Sequence, residues 1–420
     1  MANTAHKTTV WVYAHWQGMS APKWIGILSV QQAKGRAAFS FEYNPTWLQS
    51  REQVWIDPDI SWYTGPQFPG GKLNFGVFLD SMPDRWGRML MKRRGAQLAK
   101  KVGQPPAVLH DIDFLLGVYD ESRMGGLRFK RDPQGPFLDN ETGWAVPPWS
   151  SARTLQYAAN KIETAEGLDE LEEWLAMLVA PGSSLGGARP KANISDETGH
   201  PWIAKFPSAN DTIDKGAWEY LAYRLAIDAG IDMAPSKLEK LNGPHRTFFT
   251  KRFDRHLGER IHFASAMTMT GRDEETLREA TASYLEMAEF IQFSCAEVKE
   301  NLRKLWTRIA FNIAVSNTDD HLRNHGFLLS RKGWELAPAY DINPSIDRKG
   351  LALNIDTEDN ALDFELIRSV GDYFQLTPAE MEGILARIKR STQRWPTIAK
   401  DIGIPRIEQE LMEGAFLFAS

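Results

Sequence analysis

Short runs of alternating apolar and polar residues fill the first sixty positions of the chain. WVYAHW, WIGILSV and AAFSFEY lie between Thr8 and Ser61 and are separated by Gly, Pro and Asn. This alternation is typical of antiparallel strands with one buried face. The spacing then becomes helical across segment 73–101, where Trp86, Met89 and Leu90 follow an i, i+3, i+4 pattern. The sequence therefore predicts a small β-rich unit followed by a helical segment.

The middle of the chain begins with a stretch rich in Pro and Gly between Asp132 and Trp149, which predicts a loop or a subdomain boundary. The segment from Leu168 to Ala180 has the spacing of an amphipathic helix and leads into a Gly-rich turn, GSSLGGARPK. Two strand-like runs follow, KANIS and PWIAKFP, joined by DETGH. They predict a hairpin that the chain enters through the Gly-rich turn.

The second half of the chain is mainly helical in pattern. AWEYLAYRLAIDAG (Ala217 to Gly230) predicts a helix ended by its last glycine, and Arg246 to Arg255 predicts a strand and its exit. Helical spacing dominates from Glu275 to Val315. FLLS and WELA then read as a hairpin around Arg331 to Gly333. The sequence thus predicts a helix-rich C-terminal half.

Composition narrows the class of protein. A chain of 420 residues with 43% apolar and 25% charged residues is ordinary globular material, long enough for two or three units. The net charge of −5 argues against a main function in binding nucleic acid, and the basic run from Met91 to Lys101 reads as a solvated helix face. Cys295 is the single cysteine, which excludes an intramolecular disulfide and a cysteine-based zinc cluster. No leader segment or long apolar run is present, so we expect a cytoplasmic protein that does not enter the membrane.

SNTDDHLRNHGFLLS, residues 316–330, concentrates polar residues between apolar runs. Asp319 and Asn324 have the Asp-x-x-x-x-Asn spacing of a kinase catalytic loop, in which the aspartate is the base and the asparagine reaches magnesium. The predicted hairpin follows, and Asp341 closes it where a kinase places a second metal ligand. Taken alone, this spacing is also that of a polar helix terminus. Combined with the hairpin and the second aspartate, it favours phosphoryl transfer.

A kinase also needs a strand lysine for the nucleotide phosphates and a helical glutamate that orients this lysine. Lys205 at the end of PWIAKFP and Glu219 near the start of the next helix stand in that order. The Gly-rich turn does not match the Walker spacing, because Ala188 and Arg189 follow Gly187 where Lys and Ser or Thr are needed. It does not have the kinase Gly-x-Gly-x-x-Gly spacing either. Its glycines still allow backbone N–H groups to approach phosphate oxygens.

Other chemistries fit fewer of these residues. His321 and His325 have the i, i+4 spacing of a zinc hydrolase, but LRN between them supplies no carboxylate. The Gly-x-Ser-x-Gly elbow of a serine hydrolase does not occur. A catalytically degenerate kinase-like scaffold or co-repressor, and a kinase for a small molecule or lipid, stay open as alternatives. Of these chemistries, only the kinase-like one accounts for several motifs that lie far apart in the sequence.

The chain resembles the HipA-like serine/threonine kinases, which are toxins of bacterial toxin–antitoxin modules. The likeness rests on FLDSMPDRWGRML, SSLGGARPK, WIAKFP, KRFDR, SNTDDHLRNHGFLL and APAYDINPS, which span most of the chain. The resemblance implies that Asp319 is the catalytic base, that Lys205 contacts the phosphates of ATP, and that Asn324 and Asp341 bind Mg²⁺. It implies further nucleotide contacts at Gly186, Gly187, Lys251, Phe253, Asp254 and His321. Ser184, or its neighbour Ser183, matches the serine that the family autophosphorylates.

The resemblance also implies an architecture and partners. The expected fold is of the α+β class, a two-lobed protein-kinase-like fold with a small β-rich N-terminal subdomain and a helix-rich C-terminal lobe. Its expected segments are an N-terminal subdomain at 1–130, a lobe with the Gly-rich loop and the ATP lysine at 150–255, and a helical lobe at 256–420. Family members act on aminoacyl-tRNA synthetases and are restrained by a small helix-turn-helix antitoxin. We therefore expect a protein substrate, and DNA contact only through such an antitoxin.

Overall fold

The structure, a computed structural model, describes residues 6–33, 36–50, 52–140, 146–164, 175, 178, 187, 189–347 and 349–418. The strands in these ranges, numbered in chain order, are β1 (His6–Ala14), β2 (Lys23–Ala33), β3 (Arg36–Tyr43), β4 (Leu127–Lys130), β5 (Lys191–Ser195), β6 (Pro201–Lys205), β7 (Ser236–Glu239), β8 (Thr247–Lys251), β9 (Arg255–His256), β10 (Glu259–Arg260), β11 (His262–Ser265), β12 (Gly326–Ser330) and β13 (Gly333–Leu336). The α-helices there are α1 (Pro45–Leu48), α2 (Gly76–Asp80), α3 (Arg85–Lys101), α4 (Asp111–Leu116), α5 (Ala152–Thr164), α6 (Lys215–Asp228), α7 (Ala266–Met269), α8 (Thr276–Glu279), α9 (Tyr284–Ser294), α10 (Val298–Ala314), α11 (Phe364–Ser369), α12 (Pro378–Thr392), α13 (Trp395–Ile402) and α14 (Arg406–Met412).

Two compact units divide the chain, and neither is continuous in sequence. The first unit consists of Met1–Ile203 and Asp254–Glu275, and the second consists of Ala204–Phe253 and Thr276–Ser420. The chain passes between them inside β6, so this strand belongs to both. The three functional segments expected from the sequence are a separate division of the chain and stay a prediction.

A four-stranded antiparallel sheet, in the order β3-β2-β1-β4, forms the β-rich part of the first unit. Its inner face is apolar: Val10 and the residue opposite it, Leu28, are both fully buried. Phe78 of α2 packs against this face, with its ring 5.7 Å from Phe41 and 6.1 Å from Phe129. The three strands predicted from WVYAHW, WIGILSV and AAFSFEY are therefore present, and α2 covers them.

The helical segment predicted across residues 73–101 is interrupted, since α2 ends at Asp80 and α3 begins at Arg85. Pro83 stands in the interruption, and proline has no N–H for the helical ladder. Asp84 then caps α3 by accepting a hydrogen bond of 2.9 Å from the N–H of Gly87. Pro83 and the capping Asp84 therefore separate α2 from α3, where the sequence predicted one continuous helical segment.

Arg123 is a fully buried cation in the first unit. Its guanidinium donates hydrogen bonds to four backbone carbonyls, those of Ser81, Leu115, Val118 and Leu138, at 2.8 to 3.0 Å. It also lies over the ring of Phe129, 4.7 Å from the centroid. Burial lowers the pKa of Arg123 to about 9. One side chain thus ties α2, α4 and the loops around them to the sheet.

The second unit is built around α10. Every residue from Leu305 to Ser316 is buried, as expected for a helix that is apolar on nearly all sides. The indole N–H of Trp306 donates to the carbonyl of Ile367 at 3.1 Å. Within the same unit, the end of β6 lies beside β8, which pairs with β7, and α6 packs against both of these last strands. The helix predicted up to Val315 is confirmed.

Two predicted hairpins are also present. β5 and β6 are neighbours in one sheet, and β12 pairs with β13 from Phe327 opposite Leu336 to Ser330 opposite Gly333. The helix predicted from Leu168 to Ala180 lies largely outside the described residues. The predicted α+β class is confirmed, with a β-rich N-terminal part and a helical C-terminal region. Among the helices described, none combines the length and the apolar character needed to cross a bilayer.

Replacing Arg123 with methionine should destabilise the first unit by at least about 3 kcal/mol, because four buried carbonyls lose a charged donor. Urea denaturation followed by tryptophan fluorescence measures this change. Arg131→Met, at an exposed position of the same unit, is the matched control and should stay within about 0.5 kcal/mol of wild type. Equal effects of the two substitutions would contradict the anchoring role of Arg123.

Candidate active site

Lys205, at the end of β6, contacts two carboxylates, one 14 residues and the other 136 residues away in sequence. Its Nζ lies 2.6 Å from Oε1 of Glu219 on α6 and 2.5 Å from Oδ1 of Asp341, which follows β13. The Lys205 and Glu219 side chains are nearly buried, and that of Asp341 is 29% exposed. Burial favours a lower pKa for Lys205, but the carboxylates of Asp341 and Glu219 outweigh it and raise the pKa above its ordinary value. The ammonium therefore stays charged.

The loop after α10 carries Asp319 and Asn324. The Asp319 side chain is exposed, whereas Asn324 is 2% exposed. The Asn324 amide donates from Nδ2 to the carbonyl of Asp319 at 2.9 Å, which closes the loop on itself. Its Oδ1 is buried and has no hydrogen-bond partner. An amide oxygen in this state is a ready ligand for a hard cation.

Asp320 holds this loop from the inside. Its Oδ2 accepts from the hydroxyl of Tyr284 at 2.5 Å and from Nδ2 of Asn312 at 2.7 Å, and it lies 2.7 Å from Nε2 of His325. All four side chains are buried. Burial, together with the carboxylate of Asp320, raises the pKa of Tyr284 well above its ordinary value. Asp320 is therefore the anchor of the loop, and its exposed neighbour faces away from this network.

The same network argues against the zinc alternative. His325 is turned towards Asp320, and its other ring nitrogen lies 3.4 Å from Arg308. Within the described residues, no group of three or more His, Cys, Asp or Glu side chains is placed to hold a metal ion. The spacing of His321 and His325 therefore reflects a loop anchored by one histidine.

Asp341 adopts an unusual backbone conformation and is tied to the Asp319 loop. Its φ is +58°, a left-handed value that costs free energy for a residue with a Cβ. Asn343 donates from its side chain to Oδ1 of Asp341 at 3.3 Å, and its backbone N–H donates to Oδ1 of Asn317 at 3.2 Å. The segment carrying Asp341 is thus hydrogen-bonded to the segment carrying Asp319 and Asn324.

Asp341 and Asn324 carry donor types that suit Mg²⁺. This ion prefers oxygen donors and is usually held by one or two carboxylates, with waters and substrate phosphates completing its shell. Asp341 offers a carboxylate and Asn324 offers the buried amide oxygen without a partner. The two residues would be the protein ligands of such an ion.

The other predicted nucleotide contacts are placed as follows. Lys251 and Phe253 are half-buried in the second unit, and the ring of Phe253 lies 5.5 Å from that of Tyr340. His321 is half-buried, with a buried Nδ1 that has no hydrogen-bond partner. Asp254 belongs to the first unit and is fully buried. Their contacts with a nucleotide stay predictions.

Asp254 has structural partners in the first unit. Its Oδ2 accepts from the N–H of Gly125 at 2.9 Å and from Nη1 of Arg255 at 2.6 Å. Arg255 in turn donates to the carbonyls of Arg123 and Glu121 at 2.7 and 3.1 Å. This burial supports a role for Asp254 in holding the 121–125 turn.

Of the Gly-rich turn, Ser183, Ser184 and Gly186 lie outside the described residues. Gly187 has a φ of +79°, and its carbonyl accepts from Nζ of Lys191 at 3.4 Å. Lys191 opens β5 and forms a buried ion pair with Asp84, with Nζ and Oδ2 2.8 Å apart. Burial raises the pKa of Asp84, and the opposing effect of Lys191 is smaller. The residue that caps α3 thus also fixes the end of the Gly-rich turn.

Sequence reasoning missed the residues that support the site. In the second unit they are Tyr284, Asn312, Asn317, Asp320 and Asn343; in the first unit, Asp84 and Lys191 hold the end of the Gly-rich turn. Asn312 carried a usable signal, because it is a polar residue inside the apolar run IAFNIAV. The others lie in polar segments, where a supporting residue has the same pattern as a solvated one.

Three comparisons identify similar proteins. The family described as the HipA-like C-terminal domain matches residues 183–395. A protein of Sinorhizobium fredii (strain NBRC 101917 / NGR234), named "Putative kinase Y4mE", is 24% identical over 221 residues. This match covers 50% of the chain and 46% of that relative, so the chain spans about half of the relative's length.

Solved structures share the fold. A chain in the complex of the Shewanella oneidensis MR-1 toxin–antitoxin system HipA, HipB and its operator DNA matches with a TM-score of 0.65 and 18% identity, covering 97% of this chain and 94% of that one. The Helicobacter pylori proinflammatory kinase CtkA matches more weakly, with a TM-score of 0.34 and 14% identity, over 52% of this chain and 95% of that one. Since the family match spans half of the 420 residues and includes Lys205, Asp319, Asn324 and Asp341, the protein belongs to the HipA-like family.

Proposed function

We propose that the protein is an ATP-dependent kinase that transfers the γ-phosphoryl group to a serine or threonine hydroxyl of another protein. The observation that carries the proposal is the contact of Lys205 with both Glu219 and Asp341. A kinase needs a lysine for the phosphates, a glutamate that orients it, and an aspartate for the metal ion. Positions 205, 219 and 341 meet at one ammonium group, although nothing in the local sequence requires them to do so.

In the proposed reaction, Asp319 accepts the proton of the substrate hydroxyl. The hydroxyl oxygen forms a bond to the γ-phosphorus as the bond to the β–γ bridging oxygen breaks, and ADP leaves with the bonding electrons. The exposure of Asp319 suits contact with a hydroxyl presented by another molecule. Lys205 holds phosphate oxygens, and Glu219 keeps it in place. Most of the rate would come from positioning and charge neutralisation.

Asn324 and Asp341 are the proposed ligands of Mg²⁺. When bound, the ion would neutralise the negative charge of the phosphates and of the leaving group. Asp341 already meets a cation, Lys205, at 2.5 Å. The Asp341 carboxylate therefore lies at a position where the proposed Mg²⁺ site requires a partner for positive charge.

The identity of the protein substrate and of the regulator comes from the family. We propose an aminoacyl-tRNA synthetase as the substrate class and a small helix-turn-helix antitoxin as the partner. The similar structure from Shewanella oneidensis contains HipB and operator DNA, which supports the second part. The net charge of −5 argues against direct DNA binding by this chain, so we propose DNA contact only through such a partner.

We also propose autophosphorylation of Ser184 as an off switch, with Ser183 as the alternative acceptor. A phosphate adds about −1.5 to −2 charges at neutral pH. A loop that serves the phosphates of ATP would then repel them. Lys191, which pairs with Asp84, also donates to the carbonyl of Gly187 at the end of this loop.

Asp319→Ala should lower phosphorylation by about 10²-fold or more, since it removes the positioned base. Incorporation of radiolabelled phosphate in a lysate, followed by phosphoamino acid analysis, measures the rate and distinguishes serine and threonine from other acceptors. Asp372→Ala, at another exposed aspartate of the second unit, is the control and should retain full activity. Wild-type activity in Asp319→Ala would exclude the role of the base.

Incubation of the wild-type protein with Mg²⁺ and ATP should add the mass of one phosphate, because the Gly-rich turn offers a serine hydroxyl to the bound nucleotide. Intact-mass spectrometry measures the gain. Ser184→Ala should abolish it and Ser183→Ala should retain it. The reverse result assigns the modification to Ser183, and no gain in the wild type would rule out autophosphorylation.

A further inference from the structure

A chain of buried amides runs from the anchor of the catalytic loop to the candidate metal ligand. Asn312 donates from Nδ2 to Oδ2 of Asp320 at 2.7 Å, and Asn317 donates from Nδ2 to Oδ1 of Asn312 at 3.1 Å. The backbone N–H of Asn343 donates to Oδ1 of Asn317 at 3.2 Å. Asn343 then donates from its own Nδ2 to Oδ1 of Asp341 at 3.3 Å. Four consecutive hydrogen bonds therefore connect Asp320 to Asp341 inside the second unit.

The middle of this chain is fully enclosed. Asn312 is 0% exposed and Asn317 is 1% exposed, and each uses both its amide oxygen and its amide nitrogen. A buried amide that loses a partner costs about 1–3 kcal/mol, so these side chains have little freedom to turn. Asn317 in particular joins two loops that have no strand or helix in common.

The two segments that Asn317 joins are both strained. Ser316, directly before it, has a φ of +51°, and Asp341 has a φ of +58°. Residues with a Cβ keep such conformations only where their surroundings hold them. The hydrogen bond from the Asn343 backbone to the Asn317 side chain joins the residue after Ser316 to the segment of Asp341. It therefore supports both backbone conformations.

Another asparagine of the same helix region shows what a purely structural amide does here. Asn301, on α10, is 2% exposed, donates to the carbonyl of Ala296 at 2.7 Å and accepts from the N–H of Leu336 at 3.0 Å. Its partners lie at the start of α10 and in β13, and none of them is a candidate site residue. Asn301 holds α10 against β13, whereas Asn317 holds together the two loops that carry the candidate site residues.

We propose that Asn317 is a positioning residue that couples the Asp319–Asn324 loop to Asp341. Through Asn343 it sets the backbone and the carboxylate of Asp341 relative to the loop that carries Asn324. Both candidate ligands of Mg²⁺ then reach their positions together. This inference rests on the proposed function, and it assigns to Asn317 a role in affinity for the metal-bound nucleotide, with no direct contact to the reacting atoms.

Titration with a fluorescent ATP analogue, in the presence of Mg²⁺ and in its absence, tests the coupling without measuring catalysis. Asn317→Ala should weaken binding of the Mg²⁺-nucleotide by about 10-fold, the lower end of the range for residues that orient a metal ligand. Binding without Mg²⁺ should stay at the wild-type level, because Lys205 is unaltered. Asn301→Ala, an identical change at an equally buried amide of the same unit, should leave the Mg²⁺ dependence unchanged.

Asn343→Ala provides a second variant, since this side chain is only half-buried and its loss is compatible with folding. It should weaken Mg²⁺-nucleotide binding in the same direction. If Asn317→Ala does not fold, Asn343→Ala decides the result. Hydrogen exchange of the Asn343 amide should also be faster in folded Asn317→Ala than in wild type, because its acceptor is lost.

Two results would overturn the inference while the proposed function stands: wild-type Mg²⁺ dependence in both site variants, or an equal loss in Asn301→Ala. In the second case the loss would reflect general destabilisation. A wild-type protein that binds no nucleotide under either condition would instead overturn the proposed function, and the inference with it.

Discussion

The buried ammonium of Lys205 is the constraint on which the site depends. A charge in this position is tolerated only when partners surround it, and its partners come from α6 and from the segment after β13. Buried ion pairs add little net stability, because desolvation offsets their attraction. Their effect here is on position: Glu219, 14 residues from Lys205, and Asp341, 136 residues from it, must both converge on one nitrogen atom.

Two neighbouring aspartates in the loop after α10 lie in different environments. Asp320 is buried, and its Oδ2 lies within hydrogen-bonding distance of the Tyr284 hydroxyl, the Asn312 amide and the His325 ring, which holds the loop. Asp319 lies on the exposed side, where a substrate can approach it. The same side chain therefore serves as an anchor at one position and as a candidate base at the next. Alternation of environment along the chain, rather than residue type, sets the two roles.

The sequence predicted the parts of this architecture that are local. The strands of the N-terminal sheet, the two hairpins and α10 follow from alternation, turn residues and helical spacing within short windows. β4 was missed because four residues are too few to show a period. The interruption at Pro83 was overlooked although proline marked it, since the apolar spacing on both sides looked continuous.

For the candidate site, motif order identified Lys205, Glu219 and Asp341 before their contacts were known. The supporting residues were not predictable in this way. Asn317 and Asn343 bond across a gap of 26 residues, and Lys191 and Asp84 across 107. Such pairs are chosen by the packing of distant segments, and neither partner differs in local pattern from an ordinary surface residue. Family membership indicates the fold, and the structure shows which of these side chains are in contact.

The interleaved order of the two units constrains how the protein can be made and divided. During synthesis from the N-terminus, the first unit lacks residues 254–275 until the chain has passed through the first part of the second unit. Until then the turn at Gly125 has no Asp254 to accept its N–H, and the carbonyl of Arg123 has no Arg255. Each unit is therefore completed only after part of the other unit has been synthesised. A nascent chain would need protection for its exposed apolar surface over most of its length, and no single cleavage point yields two intact halves.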